Sequence, residues 1–319
     1  MKKTFFLALG VLVAVLLIFY ALKNGNEPLE RNGTGENAEP RIMALSHSEL
    51  EAESAIVIDG DSGKILFDKN ADKKMYPAST TKIMTALLAL KYGEIDEEIK
   101  IGEEVGILLP DASKAGLEYG EIMTLEQLLK ALMLPSGNDA ANAIAVHIAK
   151  KVSGDKTMDF SEALPYFRKL MNEEAKALGA DNTHFVNAHG YHSEDHYTCA
   201  YDLALIALEA MKYSYFRETV KLTYAETESV SVAAGGAGKD TEAEDTHSWM
   251  NTNKLLIKDS GFYYENATGI KTGYTSAAGY CLVSSAEMDG RSAITVLLNS
   301  TEQGQWSDAV KLLKKALKK

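Results

Sequence analysis

The chain has 319 residues, a formal net charge of −12 at pH 7 and 46% hydrophobic residues, enough apolar content for one large core. With 45 acidic residues against 33 basic ones it lacks the positive balance that neutralising phosphates requires, which excludes nucleic acid as a partner. Its two cysteines, Cys199 and Cys281, sit inside apolar stretches with nothing in their spacing to bring them together, so they read as buried free thiols.

At the N-terminus Lys2 and Lys3 precede an uninterrupted apolar run over 5–22, long enough for one membrane span. The outer end of that run, Leu17-Ile18-Phe19-Tyr20-Ala21-Leu22, is bulky and aromatic where a cleavable signal has small residues. Residues 1–23 therefore read as a membrane anchor, with a cleaved signal segment as the alternative. The two lysines keep their end in the cytoplasm and place the rest of the chain outside. Residues 24–50 begin with a polar stretch containing Gly, Asn, Glu and Pro and read as a flexible tether. That leaves 51–319 as the folded domain.

Within it, 55–67 reads as two short strands about a Gly/Asp turn. The apolar run 83–90, free of Gly and Pro, reads as a buried helix with Pro77 and Ser79 at its start and Gly93 at its end. Helical signals dominate to about 215, including runs over 125–134 and 140–149 separated by Leu134-Pro135-Ser136-Gly137-Asn138-Asp139. Strand signals return at 222–232, 279–286 and 292–298. The segment 232–245, small, flexible and acidic, reads as an exposed loop insertion. The end of the chain is an amphipathic helix with Trp306, Val310, Leu313 and Leu317 on one stripe. Its lysines would also suit a membrane surface, but it directly follows the last strand, so it is expected to cover the sheet.

Three motifs carry chemistry. Ser79 and Lys82 in Ser79-Thr80-Thr81-Lys82 lie at i and i+3 on one helical face, where a lysine of depressed pKa can take the serine proton. Ser136-Gly137-Asn138 is a turn between helices. Lys271-Thr272-Gly273-Tyr274 precedes the two late strands. Each alone is ordinary composition, but S-x-x-K, S-x-N and K-T-G in this order are the signature of penicillin-binding proteins and class A β-lactamases.

With these motifs and the flanks Tyr166–Asn172, Ala177–Phe185, Asn187-Ala188-His189-Gly190 and Asn251–Leu256, the chain resembles the serine-type D-alanyl-D-alanine carboxypeptidases, low-molecular-mass penicillin-binding proteins, from about Glu51 to its end. The resemblance implies an α/β fold of the α+β type, β-lactamase/transpeptidase-like: an antiparallel sheet covered by helices, an inserted all-helical lobe and a site in the cleft between. It implies removal of the terminal D-Ala from peptidoglycan stem pentapeptides, with Ser79 as nucleophile, Lys82 as base and Ser136 as proton relay. Asn138 then holds the peptide amide, and Lys271, Thr272 and Gly273 receive the terminal carboxylate and strand. The Ser79 and Tyr274 amides form the oxyanion hole. β-Lactam antibiotics are the expected covalent inhibitors, and no cofactor is implied.

The departures are Tyr274 where many relatives have His, Tyr191 where a Leu often follows His-Gly, and no Arg over 299–303, Arg291 lying at the other end of that strand. Three alternatives stand beside this reading. A β-lactamase of the same fold needs a water-positioning glutamate, and Glu173 and Glu174 match the carboxypeptidase pattern instead. A zinc D,D-peptidase would use His189, His192, His196 and Asp195, a segment without helical periodicity. The third is a non-catalytic penicillin-binding scaffold.

Overall fold

Strands from both ends of the chain make the central sheet. The structure, a computed structural model, describes residues 45–233 and 241–318; the predicted anchor and the tether up to 44 lie outside the described residues. Strands β1 (Ser54–Asp59) and β2 (Ile65–Lys69) form the predicted hairpin. They join β7 (Ala267–Thr275), β8 (Gly279–Met288) and β9 (Arg291–Ser300) in an antiparallel five-stranded sheet of order β2-β1-β9-β8-β7. Lys271-Thr272-Gly273 therefore lies on an edge strand, with one side open to an incoming chain.

The β1 run Ala55-Ile56-Val57-Ile58 is buried throughout. Ala55 and Val57 belong to the core cluster that includes Trp306, Ala309, Leu312, Leu313 and Leu317 of the terminal helix α7 (Gly304–Leu317). Ile56 and Ile58 point to the opposite face by the two-residue period of a strand. There the helix α5 (Ala200–Ala210) packs on β1 and β9. So α7 covers the sheet, as its position after the last strand implies.

The remaining helices form the lobe. They are α1 (Lys82–Tyr92), α2 (Leu125–Met133), α3 (Asn138–Ser153), α4 (Phe160–Ala177) and α6 (Ser214–Lys221). Every residue of α1 from Lys82 to Ala89 is buried, because α2, α3, α4 and α5 surround it; Gly93 closes it with its amide on the Ala89 carbonyl. The predicted start shifts: Ser79 occupies a 3-10 turn, Ala78–Thr81, and the α-helix begins at Lys82. Ala78, at φ 48°, breaks the regular backbone just before the serine.

One expectation fails. Residues 241–245, read as the end of a loop insertion, begin strand β6 (Thr241–Met250), which pairs along its length with β5 (Tyr224–Ala233). Its polar, charged composition misled the reading: the strand lacks apolar alternation, although Trp249 near its end is buried. With β3 (Glu98–Lys100) and β4 (Glu121–Thr124), two short strands inside the region read as helical, the β5–β6 pair forms a second sheet of order β3-β4-β5-β6. Both cysteines are free and buried, and burial pushes each thiol up to about 12. Among the described residues no helix is long and apolar enough to cross a membrane.

Candidate active site

The buried Lys82 amine is the centre of the site. Its Nζ lies 3.0 Å from Ser79 Oγ, 2.6 Å from Asn138 Oδ1 and 2.8 Å from the His189 carbonyl. Burial, then the nearby Lys271 cation, pull its pKa well below the ordinary lysine value, with only partial opposition from Asp139. A neutral amine has two hydrogens and one lone pair. Two of its neighbours are carbonyl oxygens, which only accept. The lone pair is left for the Ser79 hydroxyl, the one neighbour able to donate, so the surroundings orient Lys82 as an acceptor of the serine proton.

Every partner is held in turn. On α1, Thr85 lies one turn from Lys82 and donates to the Ala188 carbonyl at 2.6 Å, so one helix face grips the loop at two points. Asn138 opens α3, and the next residue, buried Asp139, accepts the amides of Ala115, Gly116 and Leu117 at 2.8–3.1 Å. Ser136 follows at φ 66°, a left-handed conformation that is strained for serine and aims its side chain inward. Its buried Oγ has no hydrogen-bond partner among the described residues.

The serine turn is pinned from below. Val186 N–H donates to His196 Nδ1 at 3.1 Å, so the proton is on Nε2, which donates to Thr81 Oγ1 at 2.8 Å; that hydroxyl donates to the Ala78 carbonyl at 2.8 Å. Burial lowers His196 to about 3, keeping it neutral throughout the physiological range. Gly190, at φ 85°, lets its backbone meet the same carbonyl: a Cβ there would lie 1.9 Å from the Ala78 oxygen.

On the other wall the β7 edge comes close. A Cβ on Gly273 would fall 2.9 Å from the Ser79 amide nitrogen, so only glycine lets the strand approach the turn. The Ser79 amide, with no partner among the described residues, and the β7 backbone leading to Tyr274 thus border one space beside Ser79 Oγ. Lys271 is buried, donates to its neighbour's carbonyl (Thr272) at 3.1 Å, and is lowered by burial to about 7. Thr272 Oγ1 is 2.6 Å from Thr252 Oγ1. The tyrosine ring of Tyr274 is exposed and packs on Tyr280 at 4.5 Å.

The three motifs therefore converge. Arg291 lies elsewhere, donating to the Leu317 and Lys318 carbonyls at the end of α7. The histidines do not share a centre. His189 Nδ1 accepts from Tyr191 N–H at 3.1 Å, His196 is committed to Val186 and Thr81, and His192 meets the Tyr76 ring edge-on at 4.7 Å. Among the described residues no group of three or more His, Cys, Asp or Glu is placed to hold a metal. Glu174 is paired with Lys91, and Glu173 is exposed on the helix surface 3.6 Å from Lys169. Sequence reasoning missed Thr252, Asp139 and the structural role of His196. Each stood in a quoted segment, but only the fold reveals which neighbour it meets.

The chain matches the peptidase S11 family model, described as D-alanyl-D-alanine carboxypeptidase, over residues 41–302. It is 36% identical over 280 residues to D-alanyl-D-alanine carboxypeptidase DacF of Bacillus subtilis, covering 86% of this chain but only 63% of that relative's length. It is 34% identical to the D-alanyl-D-alanine carboxypeptidase of Streptomyces sp. strain K15, covering 85% of this chain and 88% of that one. The crystal structure of the Streptomyces K15 DD-transpeptidase superposes with a TM-score of 0.73 at 33% identity, over 85% of this chain and 98% of that one.

Proposed function

We propose, since the chain belongs to the family of D-alanyl-D-alanine carboxypeptidases, that it removes the terminal D-Ala from peptidoglycan stem peptides through an acyl-enzyme on Ser79. The observation that carries the reading is the buried Lys82 amine, its pKa pulled well down by burial and by Lys271, whose Nζ lies 3.0 Å from Ser79 Oγ and whose other two described neighbours are carbonyl oxygens that only accept. Ser79 Oγ attacks the carbonyl of the penultimate D-Ala while its proton passes to Lys82 Nζ. The Ser79 and Tyr274 amides stabilise the oxyanion. Ser136 Oγ, buried without a partner among the described residues, relays the proton from Lys82 to the leaving nitrogen, and D-Ala departs. Water then attacks the ester, with Lys82 again as base, and frees Ser79.

Asn138 holds the acyl-side amide. The terminal carboxylate is met by Lys271, Thr272 and Thr252, whose paired hydroxyls stand in for the arginine expected after the last strand. A β-lactam acylates the same serine. The N-terminal run 5–22 after Lys2 and Lys3 supports an extracytoplasmic, membrane-anchored enzyme. The test is D-Ala release from a pentapeptide by the soluble domain. Release well above a Ser79→Ala control is expected, and release no greater than that control overturns the reading in favour of a binding scaffold.

A further inference from the structure

Beside the catalytic lysine lies a cavity of about 350 Å³, within the range of roughly 300–1,000 Å³ that holds small ligands. Two of its lining residues, Asn138 and His189, are the pair whose oxygens bind Lys82, so the cavity adjoins the reacting centre. Asn138 lines it, whereas Lys271 and Thr272 do not. Its other walls are largely aliphatic: Leu108 from the loop after the 3-10 turn Glu103–Val105, Leu164 and Pro165 from α4, and Val186. Ile107 and Leu109 form an apolar lip, 49% and 51% exposed.

The one charged residue in the lining is Arg168, on α4. Its guanidinium makes no ion pair or hydrogen bond among the described residues. Asp111, on the loop that supplies Leu108 and Leu109, accepts from the Tyr191 hydroxyl at 3.0 and 3.2 Å, a contact that ties the 107–112 loop to the loop carrying His189.

We propose that this cavity is an acyl-side subsite for an unbranched aliphatic side chain ending in a carboxylate, carried by the residue before the two D-alanines. This rests on the peptidase reading above, which fixes the direction of the substrate. With the terminal carboxylate at Lys271 and Thr272 and the acyl-side amide at Asn138, which also lines the cavity, the residue upstream of the scissile bond lies beside it. The methylenes lie along Leu108, Leu164 and Val186, and the carboxylate pairs with Arg168, the arrangement by which long charged side chains bury their stems and keep their heads paired. An ammonium-ended chain would bring a like charge to Arg168.

The test measures kcat/KM for D-Ala release from N-acetyl-X-D-Ala-D-Ala, with X as 2-aminopimelate, norleucine, lysine or alanine. The expected order is aminopimelyl, then norleucyl, then lysyl and alanyl, with the first about tenfold above the lysyl peptide, the worth of one hydrogen-bonded charge. Arg168→Glu should invert the aminopimelyl and lysyl order and Arg168→Lys should keep it, with thermal melts reporting that each variant is folded. Equal kcat/KM for all four peptides on the unaltered protein, or an order unmoved by Arg168→Glu, overturns the subsite. Should no peptide release D-Ala, the peptidase reading fails. The subsite is then judged by the same peptides competing with fluorescent penicillin: the same order supports it and equal competition overturns it.

Discussion

The close approach of Gly190 to the serine turn makes Gly190→Ala a sharp probe of how the site is built. The backbone there is at φ 85°, and a Cβ would sit 1.9 Å from the Ala78 carbonyl oxygen, with Thr81 Oγ1 at 2.9 Å. Forcing alanine into the left-handed region costs about 1–2 kcal/mol, and overpacking adds about 1–3 kcal/mol. Since 1 kcal/mol is about 2–4 °C in Tm for a domain near this size, the melt should fall by roughly 4–20 °C. The obstructed carbonyl belongs to the residue before Ser79 and accepts the Thr81 hydroxyl, so relief moves the nucleophile; a shift of about 1 Å costs on the order of 100-fold in acylation. Gly179→Ala is the control: φ is 76°, yet nothing lies within 4 Å of its Cβ, so it carries the backbone cost alone. Thermal melts and the rate of labelling by fluorescent penicillin read both effects. A Gly190→Ala protein destabilised as expected but acylated within about threefold of the unaltered rate would refute the idea that this contact positions Ser79.

Lys82→Arg keeps a cation that does not give up its proton, so acylation should drop by at least about 100-fold while the far-ultraviolet dichroism is retained; near-normal labelling would remove Lys82 as the base. The profile of kcat/KM against pH, which reports the free enzyme, should rise through the depressed pKa of Lys82 and fall as Lys271 loses its proton near about 7. Stability carries the opposite sign for Lys271. Between about 7 and 10.5 the unfolded chain holds a proton that the folded one lacks, so Lys271 makes stability rise with pH by up to about 1.4 kcal/mol per unit. Denaturant melts over pH 7–9 should show a shallower rise in Lys271→Met, and an unchanged slope would contradict the burial of that amine.

Much of this was legible before the fold was known, where local pattern and buried face agree. The run 83–90 had to be a buried helix because it is apolar on every side, and 55–67 could be read as two short strands about its Gly/Asp turn. Ser79, Lys82, Ser136, Asn138 and Lys271 could be named because each occupies a short motif of fixed spacing. What stayed hidden depends on distance in the chain. The partnership of Thr252 with Thr272 and the chain from Val186 through His196 to Ala78 join segments that composition does not connect. His196 shows the cost most clearly. Among neighbouring histidines it suggested a metal ligand, whereas both its nitrogens are spent holding the nucleophile's turn. Strand β5 was read at 222–232, but its partner β6 was missed because its sequence is rich in Glu, Asp, Thr and Ser in place of the alternating apolar residues that mark a half-buried strand.

The account stands on Ser79 as the acylated residue. Incubation of the soluble domain with a penicillin, followed by intact mass measurement and peptide mapping, tests this directly. One adduct per chain is expected, on the peptide containing Ser79, and none on Ser79→Ala. An adduct that persists in Ser79→Ala, or a folded unaltered protein that takes up no penicillin, would contradict the mechanism.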